Sequence, residues 1–180
     1  LAEEKNSLNL QKKLHESSDY VNYEKICRPF GDNVGMSLGE SAQFLVLMDE
    51  NLAIELGCNI YGAALSSHVN ADGFKKSISG PGIGNYITVG KTLNEISNSF
   101  GEDGLNSMFV HAHGTGTPQN RVTESHILSE LCSVFNISNL PVTGIKSYLG
   151  HSLAAAGGDQ VISSIGTFNA VSYTHLRAHE

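Results

Sequence analysis

Two histidines, a glutamate and a lysine stand at positions where their types could do chemistry together. His113 opens a run His-Gly-Thr-Gly-Thr-Pro that ends at Pro118, Glu124 follows it, and Lys146-Ser-Tyr-Leu-Gly-His151 leads into an Ala/Gly-rich stretch. A neutral imidazole can donate a hydrogen bond, move a proton or ligate a metal near neutral pH. With His111, the histidines could therefore hold a metal. His111 and His113 lie two apart and would share one strand face, so a zinc-dependent hydrolase with His151 as third ligand is one reading. The Gly-Thr-Gly-Thr loop fits no familiar zinc spacing, and no metal is expected. A lone histidine at a strand end is more often a hydrogen-bonded structural residue. Agreement between two separated motifs is what sets this pair apart.

The elements that must position these residues can be read around them. Residues 108–113, Met-Phe-Val-His-Ala-His, are an apolar run that stops in a Gly-rich turn. That pattern predicts a buried strand with His113 at its carboxyl end, where open α/β sheets place their chemistry. Leu140 to Ser147 reads as a second short strand, running into a Gly150-His151 turn and a helix from about Leu153 to Phe168. Between them, Val122 to Phe135 carries apolar residues at Ile127, Leu128, Leu131, Val134 and Phe135. A strand–helix–strand order favours parallel pairing, which would bring His113 and His151 to the same edge.

The remaining chain offers supporting elements. Residues 1–26 read as a surface helix or a poorly ordered end. Phe44 to Met48 and Asn59 to Val69 have strand-like composition, and Leu52 to Leu56 suits a short helix. Asp72 to Asn85 reads as a loop. Its Gly80-Pro-Gly-Ile-Gly84 is a plain turn rather than a phosphate cradle, because Pro81 interrupts it and no downstream acid completes the pattern. Lys75-Lys76 suits a solvated loop. Tyr86 to Phe100 has helical spacing at Ile87, Val89, Leu93, Ile96 and Phe100. Residues 171–180 show no core pattern and read as a non-native tail, so His175 and His179 enter no functional argument.

Composition excludes some classes. The 180 residues, 40% of them hydrophobic, can bury one ordinary core. A net charge of −7 argues against nonspecific nucleic-acid binding, which needs basic residues to neutralise phosphates. No apolar run reaches the roughly 18 residues of a membrane span, and Leu-Ala-Glu-Glu-Lys is no signal peptide, so a cytoplasmic location is expected. Cys27, Cys58 and Cys132 are an odd number without paired spacing, which suits reduced thiols.

At the His113 and His151 motifs the sequence resembles the β-ketoacyl synthases, the thiolase-fold condensing enzymes of fatty-acid and polyketide synthesis. A third match is Cys27-Arg-Pro-Phe30, followed by Gly39-Glu40-Ser41-Ala42, and the resemblance spans roughly Cys27 to Asn169. It implies a partial synthase domain over 27–170, with 1–26 unmatched. The implied fold is α/β, the thiolase-like αβαβα layered arrangement, incomplete here as the end of its first half and most of its second. The implied reaction is a decarboxylative Claisen condensation of an acyl thioester with malonyl-acyl carrier protein.

Carried over residue by residue, the resemblance makes His113 and His151 the two active-site histidines. It makes Lys146 and Glu124 a supporting buried ion pair, and Thr115 and Thr117 hydrogen-bond partners of a phosphopantetheine arm that Gly114 and Gly116 let approach. It implies acyl carrier protein as partner, a homodimer for the full-length protein, and no dissociable cofactor. None of the three cysteines matches the family's Ala-Cys-Ser-like elbow. That elbow is therefore expected upstream of Leu1, and the chain alone is expected to be inactive. Ser41 stands where the family has a second glycine, and Arg121 where an aspartate is frequent, which suggests a divergent bacterial-type branch. A chain-length-factor-like partner subunit, lacking the cysteine, is the nearest rival within the fold. Retention of both histidines, Lys146 and Glu124 weighs against it. A coenzyme A-dependent thiolase is disfavoured because thiolases arrange these histidines differently.

Overall fold

A computed structural model of the chain describes residues 27–31, 35–72 and 82–177, with side chains as far as Phe168. The expectations for residues 1–26, for Lys75-Lys76, for Gly80-Pro81 and for the last three residues lie outside the described residues, and the end of the expected Asp72–Asn85 loop is helical from Ile83.

Helix α1 (Glu50–Glu55) is a single short helix whose first amides are capped by Asp49, the carboxylate accepting from Asn51 N at 2.9 Å and Leu52 N at 3.3 Å. Helix α2 (Ile83–Asn106) is longer than the apolar spacing from Tyr86 to Phe100 suggested, and Gly101 (φ 65°, ψ −154°) breaks it into two. Its start has no side-chain cap of its own; Asp72 Oδ1, from the preceding segment, accepts the Gly84 N–H at 2.7 Å instead. Helix α3 (Pro118–Val134) begins four residues before the apolar pattern does, because Thr117 caps it and Pro118 occupies its first turn. Its C-terminal turn closes through Asn136 in the left-handed region (φ 54°).

Helices α2 and α3 pack through Leu93, Leu105, Ile127, Leu131 and Ile137, with Val89, Ile96, Met108, Cys132, Phe135 and Leu140 around them. Gly82, the N-cap of α2, and Gly90 within it permit this approach. A Cβ on Gly82 would lie 2.6 Å from Ile127 Cδ1, and one on Gly90 would lie 3.4 Å from Leu131 Cδ2.

Strands β1 (Val110–His111) and β2 (Val142–Thr143) pair in parallel, Val110 opposite Val142 and His111 opposite Thr143. The strand–helix–strand crossover read from sequence is therefore present, with shorter strands. β1 is half-buried rather than buried, and β2 is exposed. The segment after β2 turns into the single-turn helix α4 (Lys146–Leu149) instead of extending as strand to Ser147. A 3₁₀ turn at Leu153–Ala155 then leads into α5 (Ala156–Arg177), which runs past the expected end near Phe168 into the stretch read as a non-native tail. Helix α5 lies over β1, with Phe168 against Phe109 at 5.4 Å between ring centroids.

Two expected strands are not formed. Phe44–Met48 and Asn59–Val69 take no regular secondary structure and join no ladder among the described residues, and Phe44, Val46, Leu47 and Val69 are 81 to 94% exposed. β-favouring composition describes a residue's fit to a pleated, half-buried surface, and no neighbouring strand supplies that surface here.

Candidate active site

The loop leaving β1 is held almost atom by atom along its main chain. Gln160 Nε2, from α5, donates to the carbonyls of His111 (3.0 Å) and Ala112 (2.6 Å). Glu124, from α3, accepts the His113 N–H on Oε1 at 2.7 Å and the Gly114 N–H on Oε2 at 2.9 Å. Lys146 Nζ donates to the His113 carbonyl at 2.6 Å, and Asn120 Oδ1 accepts the Thr115 N–H at 3.0 Å. The peptide unit joining His113 to Gly114 is thus gripped at both ends, by a carboxylate on its N–H and an ammonium on its C=O. Hydrogen bonds with an ionised partner are the shorter and stronger kind.

This revises the expected Lys146–Glu124 ion pair. The two charges do attract, Glu124 drawing the Lys146 pKa upward against burial, which lowers it more. Their contacts, however, run through the loop backbone between them. Lys146 is buried, only 2% exposed, so the carbonyl and the nearby carboxylates replace the water its charge would otherwise need.

His113 and His151 meet, as parallel strands required. Their ring centroids are 5.2 Å apart, edge to face at 85°. His151 Nδ1 accepts the Leu153 N–H at 3.0 Å, so its proton belongs on Nε2, by the logic that a ring nitrogen accepting a bond carries no hydrogen. The His113 pKa is held down to about 4, by removal from water first and then by the charges of Lys146 and His151. His113 as a residue remains exposed to solvent in this chain. His113 is neutral near pH 7, His151 accepts on an unprotonated Nδ1, and each ring can donate an N–H.

The threonines are placed differently from each other. Thr115 and Thr117 are both buried, their hydroxyls 2.9 Å apart, and Thr117 also accepts the Asn120 N–H to cap α3. Thr115 lines a cavity of about 220 Å³ together with His113, Asn120, Thr123, Glu124, Gly82 and Asn85. Gly114 (φ 49°) and Gly116 (φ 80°) take left-handed turns. The close approaches they permit within the chain are to the 27–35 segment: a Cβ on Gly116 would meet Gly35 O at 2.6 Å and Cys27 Sγ at 3.0 Å.

His151 is fixed by the segment 37–39. Its N–H donates to Ser37 O at 2.7 Å and its carbonyl accepts from Gly39 N at 3.1 Å. Gly150 (φ 75°) and Gly39 touch backbone to backbone; a Cβ on Gly150 would fall 2.7 Å from Leu38 O, and one on Gly39 2.0 Å from Leu149 O.

The zinc arrangement does not form. His111 turns to α5, its Nδ1 3.1 Å from Ser164 Oγ, while His113 packs on His151, and no metal-binding group of three or more such residues occurs among the described residues. None of the cysteines stands at a helix N-terminus, where thiolates are stabilised. Cys27 is buried behind the loop and burial raises its thiol pKa, outweighing Ser37 and Lys146, which lower it. Cys132 lies within α3 with its pKa likewise raised by burial, and Cys58 is exposed beyond the end of α1.

The sequence reading missed Asn120, Asp159 and Gln160. Asp159 is buried and accepts hydrogen bonds from Ser41 Oγ (3.0 Å), Gln43 Nε2 and Ser152 Oγ. The only trace of Asp159 and Gln160 in the sequence is that they are two adjacent polar side chains in the Ala/Gly-rich helix start.

A family profile described as the C-terminal domain of β-ketoacyl synthases matches residues 61–172. The chain belongs to the β-ketoacyl synthase family. Among its relatives is the β-ketoacyl-[acyl-carrier-protein] synthase FabY of Pseudomonas aeruginosa, 52% identical over 157 residues that cover 87% of this chain and 25% of the relative. The 3-oxoacyl-[acyl-carrier-protein] synthase 2 of Synechocystis sp. is 28% identical over 77% of this chain and 32% of its own. The highly reducing polyketide synthase ausV of Aspergillus calidoustus is 31% identical over 73% of this chain and 5% of its own. The crystal structure of the noncanonical ketosynthase FabY from P. aeruginosa superposes with a TM-score of 0.80 at 50% identity, covering 92% of this chain and 25% of that one. The thiolase-like fold of a partial synthase is thereby established, and the chain spans between a twentieth and a third of the length of these relatives.

Proposed function

We propose that these residues serve a β-ketoacyl-acyl carrier protein synthase, in the decarboxylative condensation of an acyl thioester with a malonyl thioester. The observation that carries the reading is the pair of neutral imidazoles 5.2 Å apart, one of them fixed as its Nε2–H form.

The chemistry follows from where charge develops. Breaking the bond between the malonyl methylene carbon and its carboxylate releases carbon dioxide and leaves the electron pair as an enolate, with negative charge on the thioester oxygen. Preorganised N–H donors lower the energy of that oxyanion, and the Nε2–H of His151 with an N–H of His113 are the donors proposed. The enolate carbon then attacks an enzyme-bound acyl thioester. A tetrahedral oxyanion forms, and its collapse expels the thiolate and yields the β-ketoacyl product. A neutral His113 suits this role, because it supplies a donor without adding a full charge that would hold the malonyl carboxylate in place.

Lys146 and Glu124 are assigned as positioning residues acting through the His113–Gly114 peptide. The cavity beside His113, lined by Thr115, Asn120, Thr123 and Asn85, has the polar walls an amide-bearing pantetheine arm requires, and we assign Thr115 and the Gly114–Gly116 backbone to it. Thr117 supports Thr115. The acyl-carrying thiolate is assigned to a residue other than Cys27, Cys58 or Cys132. Acyl carrier protein is the partner proposed, with a homodimer as the working assembly and the cytoplasm as its setting. No described helix is long and apolar enough to cross a membrane. The substrates arrive on phosphopantetheine, so no dissociable cofactor enters the scheme.

The test is carbon dioxide release from malonyl-acyl carrier protein by an intact synthase in which this chain replaces the matching quarter of the P. aeruginosa enzyme. Release that His113→Ala and His151→Ala each abolish supports the reading. Folded, carrier-binding protein that releases none replaces it with a non-catalytic partner subunit.

A further inference from the structure

Three polar side chains around His151 converge on one carboxylate. Asp159 Oδ2 accepts from Ser41 at 3.0 Å and also from Ser152, while Oδ1 accepts from Gln43. Ser152 is the residue after His151, and Ser41 and Gln43 continue the segment whose residues 37–39 pair with His151. Asp159 therefore closes a ring around the His151 backbone, tying the 37–43 segment on one side to the turn on the other. Gly158 makes room for it: a Cβ there would meet Gln43 Oε1 at 2.4 Å.

The turn so tied is strained. Leu153 holds a left-handed φ of 57°, a conformation that costs a non-glycine residue free energy and persists only where surrounding contacts over-determine it. The Leu153 N–H is aimed at His151 Nδ1 by the residue before it, Ser152 (φ −80°, ψ 15°). Ser41 is also the residue that departs from the family's glycine, and its hydroxyl is one of the donors Asp159 accepts. Hydrogen bonding further lowers the Asp159 pKa, Ser152 contributing most, so the carboxylate stays ionised and acceptor-only.

We infer that Asp159 is a positioning residue for His151, holding Ser152 so that the strained Leu153 amide keeps the imidazole in its Nε2–H form and aimed beside His113. The neighbouring Gln160, bonded to the His111 and Ala112 carbonyls, anchors the segment that leads from β1 to His113. Adjacent residues in the first turns of α5 thus hold the two imidazoles in register. The inference rests on the proposed decarboxylation.

The experiment uses the intact chimeric synthase with Asp159→Asn, Ser152→Ala and the double variant. Three quantities are read: the rate of decarboxylation, the rate of active-site acylation by an acyl-carrier thioester, and the ¹⁵N imidazole shifts of His151. Losing an outer partner of a functional imidazole lowers activity about 10- to 100-fold in comparable sites. The expected result is a fall in decarboxylation kcat of that size, KM changed less than about three-fold and acylation unaltered, with an Nδ1–H population appearing at His151. The double variant should be no slower than the slower single one, since both break the same link. Unchanged kcat in Ser152→Ala and Asp159→Asn, with His151→Ala inactive, overturns the inference and leaves the proposed function standing. So does a parallel loss of kcat and acylation without a tautomer change, which marks a merely structural role. An active His151→Ala refutes the proposed function itself. Should Asp159→Asn fail to fold, Ser152→Ala decides alone.

Discussion

Replacing Glu124 by glutamine tests whether the grip on the His113–Gly114 peptide matters to the chemistry. The glutamate offers two acceptor oxygens to two successive amides, at 2.7 and 2.9 Å. Glutamine offers one, and turns an NH₂ group against the other amide. One charge-assisted hydrogen bond is lost, worth about 1.5 to 3 kcal/mol, and Lys146 loses the carboxylate that most opposes its desolvation. If that free energy is expressed in the transition state, decarboxylation slows roughly 10- to 100-fold, at about 1.4 kcal/mol per tenfold. The assay is kcat/KM for malonyl-carrier decarboxylation, with Lys146→Met and the double variant completing a thermodynamic cycle. Because both side chains act on one peptide unit, the coupling between them should exceed about 0.5 kcal/mol. A Glu124→Gln enzyme within twofold of the parent, or additive effects in the cycle, would refute the backbone-grip argument even if His113 proved indispensable.

Other outcomes follow from the same geometry. His113→Ala and His151→Ala should each lower decarboxylation on the order of 100- to 1,000-fold, as loss of one oxyanion donor does elsewhere, measured as carbon dioxide release. Lowering the pH should leave decarboxylation flat through the ordinary histidine range, with the acid limb near the His113 value of about 4, read from a pH–rate profile. The unfolded chain, with histidine at 6.5, takes up that proton first, so stability should decline as pH falls from about 6.5 towards 4, a trend that urea midpoints at several pH values would show. Gly150→Ala should destabilise by about 1 to 3 kcal/mol, since a left-handed residue would carry a Cβ into the Leu38–Gly39 backbone. Gly166→Ala, in open space on α5, should instead stabilise by about 0.5 to 1 kcal/mol, and denaturant midpoints compare the two.

Much of the site was legible because its signals are local. The Gly-rich turns after residues 113 and 149, and the apolar stripe from Ile127 to Leu131, reported on their own neighbourhood, and parallel pairing followed from the order of elements. Helix α3 began earlier than expected because its start is written in Thr117 and Pro118 rather than in apolar spacing. The strands expected at Phe44–Met48 and Asn59–Val69 failed for the opposite reason, since a ladder depends on partners elsewhere. Asp159 was invisible for a similar cause: Ser41 lies 118 positions away from it, and nothing in an Ala/Gly-rich helix start announces such a contact. The sequence supplied the identity of Lys146 and Glu124 but not their geometry, because two opposite charges read as a pair until the peptide between them is seen.

That peptide has a consequence for engineering. Gln160, Glu124, Lys146 and Asn120 all address main-chain atoms of the loop, so the grip is indifferent to which side chain position 113 carries. The loop acts as a socket: whatever residue is plugged in is presented at one fixed place, facing His151 and the cavity. Chemistry at this position can therefore be exchanged by substitution without rebuilding its mounting, which makes it a natural starting point for recruiting the scaffold to a different reaction on thioesters.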